Sequence, residues 1–196
     1  MISKNIFTFL NALKNNNERQ WFKENISTFR TAESEVKLFY SQLYDQLNQL
    51  DSIDNFKVFR IYRDIRFSKN KTPYKTHFSG SFHRTKPELR GGYYLHLAAN
   101  NESFIATGFW NPNKEDLIRL RKEFEIDSED LRAIIAEPRF KAIWGPLVGD
   151  ELRSAPRGFD KQDPNIDLIR KKQFIFIKKF TDKEVLSERF LKEVID

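Results

Sequence analysis

The chain has 196 residues, 39% of them hydrophobic and 32% charged, with a formal net charge of +6 and no cysteine. That suits one globular domain over 1–196 with a real core, and it excludes disulfides, zinc–thiolate sites, iron–sulfur clusters and cysteine nucleophiles. No stretch of about 18 apolar residues occurs and the opening residues carry no apolar leader, so a cytoplasmic protein with no membrane partner is expected.

The predicted elements begin with helices. Ser3 is placed to cap a first helix running through Leu13, and Glu18 falls in the first turn of a second, short one. Ser27 is the candidate cap of a long third helix. In it Phe29, Ala32, Val36, Phe39, Leu43 and Leu47 recur three and four residues apart and form one apolar stripe.

After Asp54 the period changes. In "KVFRIYRDIRF", Phe59, Ile61, Ile65 and Phe67 share one parity, as in a strand. Arg63 falls on that same apolar parity, as a buried cation or one re-aimed by a bulge. From Thr76 to Arg84, Phe78 and Phe82 point one way, and His77, Ser79, Ser81 and His83 the other. "GGYYLHLAANNESFIATGFW" reads as a hairpin turning near Asn100 and Asn101, with Tyr93, Leu95 and Leu97 on one arm.

Two helices follow, "NKEDLIRLRKEFE" and "DSEDLRAIIAE", with Asn113 and Asp127 as caps. The stretch from Pro138 to Pro164 is read as irregular, then come a short helix from Asn165 through Lys172 and the strand "QFIFIKKF". Thr181 opens a final helix carrying Val185, Leu186, Phe190 and Val194. That helix reaches the last residue without a cap, as expected of a chain that continues. Helices, an antiparallel sheet and then helices make an α+β domain, with the sheet flanked by N-terminal and C-terminal helices.

The charge is concentrated. Residues 57–90 hold ten Lys or Arg against the two acids Asp64 and Glu88, a surplus of eight, so the remainder of the chain is net negative. Within "RIYRDIRFSKNKTPYKTHF", Arg60, Arg63, Arg66, Lys69, Lys71 and Lys75 are interleaved with Tyr62, Phe67, Tyr74 and Phe78. Localised cations are the footprint of an anion site. Asp64 lies between two arginines and is expected to orient one guanidinium, with a low pKa. Pro73 stiffens a turn that would present Lys71 and Tyr74.

Several familiar chemistries fail on spacing. "YRDIRFSKN" has Lys69 where a kinase catalytic loop needs Asn, and Lys71-Thr72 lacks the glycines of a phosphate-binding loop. No G-x-S-x-G occurs, which argues against a serine hydrolase. His77 and His83 would be about 20 Å apart on a strand at roughly 3.3 Å per residue, too far for one metal. His96 can approach only one of them, so ordinary hydrogen-bonded sheet histidines are expected and no metal. A second basic turn, "APRGFDKQDPNID", places Arg157 beside Gly158 ahead of a helix start.

The chain resembles the family named domain of unknown function 2461. The resemblance rests on R-x-x-R-D-x-R-F followed by K-x-x-Y, here Arg60, Arg63, Asp64, Arg66, Phe67, Lys71 and Tyr74. "WFKEN", "GGYYLHL" and "RGFD" with "IDLIRKKQF" add to it. It implies no assigned activity, cofactor or catalytic residue.

The leading expectation is therefore a protein that binds, and in a stronger form acts on, a phosphorylated or other anionic small molecule. Arg60, Arg63, Arg66, Lys71, Lys75 and Arg157 would supply cations, Asp64 would orient an arginine and Tyr74 would donate a hydrogen bond. No cofactor is expected. One alternative is an interaction module for nucleic acid or an acidic protein. The other is a structural ion-pair network with the functional site elsewhere. The sequence leaves enzyme activity and oligomeric state open.

Overall fold

A computed structural model describes residues 1–196 and shows an α+β fold. Three helices lead: α1 (Lys4–Asn15), α2 (Arg19–Glu24) and α3 (Ile26–Leu47). The antiparallel sheet contains β1 (Ile53–Val58), β2 (Phe78–Arg84), β3 (Gly92–Leu97), β4 (Ser103–Phe109) and β5 (Phe174–Phe180), neighbouring one another in that order. Between β4 and β5 lie α4 (Lys114–Ile126), α5 (Glu129–Ala136), α6 (Pro138–Trp144) and α7 (Ile166–Ile169). The chain closes with α8 (Asp182–Val185) and α9 (Phe190–Ile195). No helix is long and apolar enough to cross a membrane.

Contacts divide the chain into two compact units, one of Met1–Ile105 with Lys179–Asp196, the other of Ala106–Lys178. In the first, the apolar stripe of α3 is the spine: Phe29, Ala32, Val36, Phe39, Leu43 and Leu47 are all buried, as their spacing predicts. Phe29 stacks on Phe78 and Tyr40 on Phe82, with ring centroids 6.3 and 5.8 Å apart. Helix and sheet approach closely because position 80 is glycine. A Cβ there would stand 2.5 Å from Tyr40 Cε1.

The register fixes both faces of the sheet. Phe78, Gly80 and Phe82 pair with Leu97, Leu95 and Tyr93 on the face toward α3, while Ser79 and Ser81 pair with His96 and Tyr94 on the outer face. Asn100 and Asn101 turn the β3–β4 hairpin at φ 67° and 60°, a conformation asparagine tolerates. Their backbone N–H groups donate to the Asp182 carboxylate at 2.9 and 2.8 Å, which fastens the hairpin to the start of α8. α9 then returns to the spine, with Phe190 stacked on Phe39 at 5.4 Å.

The second unit has its own small core of Phe124, Leu168 and Ile169. Buried Arg121 is satisfied by carbonyls, donating to Ile169 O at 2.8 Å and Lys171 O at 3.2 Å.

Several boundaries differ from the sequence expectation. The strand expected over "KVFRIYRDIRF" ends at Val58, and residues 59–77 form a loop rather than a regular ladder. α3 starts one residue before Ser27, and Ser128 rather than Asp127 occupies the α5 cap position. Ser3 precedes α1 but bonds Glu35 instead of capping. The stretch after Pro138 contains α6, held at its start by Glu137. The final helix is broken in two, the first part opened by a Thr181–Glu184 capping box.

Candidate functional site

The basic segment folds as a loop with a closed neck. Tyr62 and Tyr74 form an isolated antiparallel bridge, Arg63 N donates to Pro73 O at 2.9 Å, and Lys75 N donates to Ile61 O at 2.8 Å. The strand periodicity was real only as far as this neck. Ile61 and Tyr74 are buried there, whereas Phe67 is 96% exposed.

Inside the loop, cations bond to neutral oxygens. Arg63 donates to Thr72 O at 3.2 Å, to Thr72 Oγ1 and to Ser68 Oγ at 3.5 Å. Lys71 Nζ donates to Ile65 O at 2.9 Å and Arg66 O at 3.4 Å. Neither has a carboxylate partner, so the loop is braced without being neutralised. Asp64 is the one acid. It accepts from Arg66 Nε at 3.0 Å and Nη2 at 2.7 Å, a bidentate clamp of the kind expected for it. Those bonds, with Arg66 N and then Arg60, hold its carboxyl below the usual range.

Tyr74 packs rather than projects. Its ring lies 3.9 Å from Phe22, nearly parallel at 13°, and the Asn17 side chain bonds both its N–H and its C=O. Burial raises its phenol above the ordinary value. Arg157 belongs to the second unit, where it is exposed beside Gly158.

Within the first unit, two of the expected cations, Arg60 and Lys75, make no side-chain hydrogen bond or ion pair. The Arg60 guanidinium is exposed and acts electrostatically on Asp64 and Lys75. Lys75 is half-buried, its ammonium 5.5 Å from the Phe59 ring centroid. Burial and then Arg60 hold its pKa below the ordinary lysine range.

Beside Lys75 the outer sheet face carries a row of half-buried rings. Tyr94 and His96 both pack on Phe104, at centroid distances of 5.8 and 4.6 Å, and Phe59 lies 6.4 Å from Tyr94. His77 approaches His96 to 4.0 Å, and Tyr94 Oη and His96 Nδ1 share a hydrogen bond of 3.2 Å. Burial, His96 and Lys75 push His77 down to about 3. Burial takes His96 to about 4, with Lys75 lowering it and Glu102 opposing. Both imidazoles are therefore neutral at pH 7, each offering one donor and one acceptor.

The sequence reading missed the role these rings share. The signal was present in the outward parity of His77 and the adjacent-strand position of His96. What parity could not supply was the approach of Lys75, which depends on the loop neck. No group of three or more His, Cys, Asp or Glu stands together as a metal site.

The second unit holds a cleft of about 830 Å³, floored by Ile135, Leu147 and Leu168. Its rim charges are mostly paired: Arg132 with Asp167 at 2.7 Å, and Lys171 with Glu151 at 3.0 Å. It offers apolar surface but little unneutralised charge.

The family model described as conserved hypothetical protein (DUF2461) matches residues 5–196. The chain belongs to that family. Its function is uncharacterised, and the match spans both compact units, the basic loop included. Among curated proteins and solved structures, nothing matches this DUF2461 chain.

Proposed function

We propose that this DUF2461 protein binds a phosphorylated or otherwise anionic small molecule where the basic loop meets the outer face of the sheet. Arg60 and Lys75 are the ligand-facing cations. Arg63, Arg66, Asp64, Lys71 and Tyr74 set the loop that presents them. The observation that carries this reading is Lys75: a half-buried ammonium with no carboxylate and no hydrogen bond. Burial partly desolvates this ammonium and the protein gives it no acceptor, a deficit that a bound anion would fill.

Around it, His77, His96 and Tyr94 provide neutral polar groups on a wall of rings. Such a surface suits a ligand with an anionic end and a flat or apolar remainder. Arg157 is a separate candidate cation in the second unit. The same variants that test Lys75 can include it.

The test is a thermal-shift and calorimetric screen of inorganic phosphate, pyrophosphate, sugar phosphates and nucleotides. Wild type should be stabilised by at least one class. Lys75→Ala and Arg60→Ala should keep their own melting temperature and lose that stabilisation, while Arg157→Ala retains it. No stabilisation of wild type, or equal stabilisation of Lys75→Ala and Arg60→Ala, would overturn the reading.

A further inference from the structure

We propose a second binding mode that goes beyond the small-anion reading: the loop between Tyr62 and Tyr74 grips single-stranded nucleic acid, with Phe67 stacking on a base. Phe67 is 96% exposed, more than any other large hydrophobic side chain of the chain. It sits in a braced loop. The neck is closed by the Tyr62–Tyr74 bridge, and the interior is crossed by the Arg63–Thr72 and Lys71–Ile65 bonds. A ring held out on such a support contributes nothing to the core, and its exposure is built into the loop's hydrogen bonding.

The surroundings of the ring specify the partner's chemistry. The Arg66 guanidinium lies 5.9 Å from the ring centroid, a flat cation beside a ring that is otherwise open to solvent. Lys69 is exposed and makes no hydrogen bond or ion pair, and Lys71 bonds only carbonyls. From Arg60 to Lys75 six cations face a single carboxylate, Asp64, which is engaged by Arg66. An aromatic face beside uncompensated cations is the pairing that holds a base and its flanking phosphates.

An anionic membrane fits less well. Phe67 is flanked by Arg66, Ser68, Lys69 and Asn70, so the apolar patch is one ring wide. Interfacial anchoring scales with buried apolar area, and one ring supplies little. A stacked base needs only that one ring.

Fluorescence anisotropy with labelled single-stranded DNA and RNA oligonucleotides, across a salt series, tests this. Wild type should bind, with log affinity falling linearly with log salt. Phe67→Ala should bind about 5- to 150-fold more weakly, the contribution expected of one stacked base, and Phe67→Trp should retain binding. Because the side chain is exposed, both variants should melt with wild type. On an abasic strand, wild type and Phe67→Ala should bind equally.

Failure of wild type to bind oligonucleotides, equal affinity in Phe67→Ala, or dependence on Phe67 that persists on the abasic strand would overturn it. So would Phe67-dependent binding to phosphatidylserine vesicles or to a polyglutamate peptide with no oligonucleotide binding. Phosphate binding at Arg60 and Lys75 is measured separately in Phe67→Ala. Its survival there separates loss of the stacking role from loss of the small-anion site.

Discussion

The imidazole rings of His77 and His96 lie 4.0 Å apart, with the Lys75 ammonium acting on both and the Glu102 carboxylate on His96 alone. Protonating either one places a second positive charge within the field of Lys75 and next to the other ring. Their pKa values fall to about 3 and about 4 in the fold, against about 6.5 when unfolded.

The sign of the pH effect follows. Between the unfolded and folded values the unfolded chain binds more protons, so stability falls as pH drops from about 6.5 toward about 4. Each imidazole contributes up to about 1.4 kcal/mol per pH unit in that window. Asp51, Asp64 and Asp167 also have lowered pKa values, but their contribution is lost at lower pH, as it falls through the carboxylate range. Urea denaturation at pH 7, 6 and 5 should show the loss, and His96→Gln should flatten the slope by about half. A slope unchanged in both His77→Gln and His96→Gln would contradict this account.

Arg63 should matter to stability more than its neighbours do. Its guanidinium braces Thr72 and Ser68 across the loop, and removing it strands those acceptors. Arg63→Ala should cost about 1–3 kcal/mol in chemical denaturation. Arg63→Lys should fall between, because an ammonium lacks the fork. Arg66→Ala, whose pair with Asp64 is fully exposed and screened by solvent, should leave the denaturation midpoint close to that of wild type.

At position 74 the ring and the hydroxyl separate cleanly. The ring is 6% exposed and stacked on Phe22. Tyr74→Ala should cost about 3–5 kcal/mol, as large-to-small aromatic truncations do. Tyr74→Phe keeps the stack and should stay within about 1 kcal/mol of wild type. Melting temperatures of the two variants, with anion binding measured on Tyr74→Phe, check both points.

The helical spine was legible because packing and periodicity agree. Every residue of the 29–47 stripe is buried, and the Asn113 cap accepts from Asp116 N as read. β2 and the Asn100–Asn101 hairpin were legible for the same reason. The 59–67 stretch was not. Its alternation mimics a strand, yet its backbone pairs with residues 73–75 of the same loop, and no local pattern encodes that closure. Hence Phe67, on the apolar parity of the sequence, is the most exposed large hydrophobic side chain of the fold.

The candidate site divides along the same line. The residue types were legible in sequence as cations around a single acid. Which cations are left over was not. Arg63, Arg66 and Lys71 are engaged by groups two to nine positions away, and only the folded neck shows that Arg60 and Lys75 stay unpaired. His77 and His96 meet because a register pairs Ser79 with His96, a long-range choice that composition cannot display.

The tie between α9 and α3 bears on how this chain is made. Phe39 waits for Phe190, and Val185 and Val194 are buried in the same unit. During synthesis the N-terminal helices and the first hairpins leave the ribosome while their closing piece is still untranslated. The second unit, Ala106–Lys178, is continuous and emerges in a single run. The order of translation therefore runs against the order of completion: the unit begun first is finished last, and its phenylalanine-rich face depends on the final residues for cover.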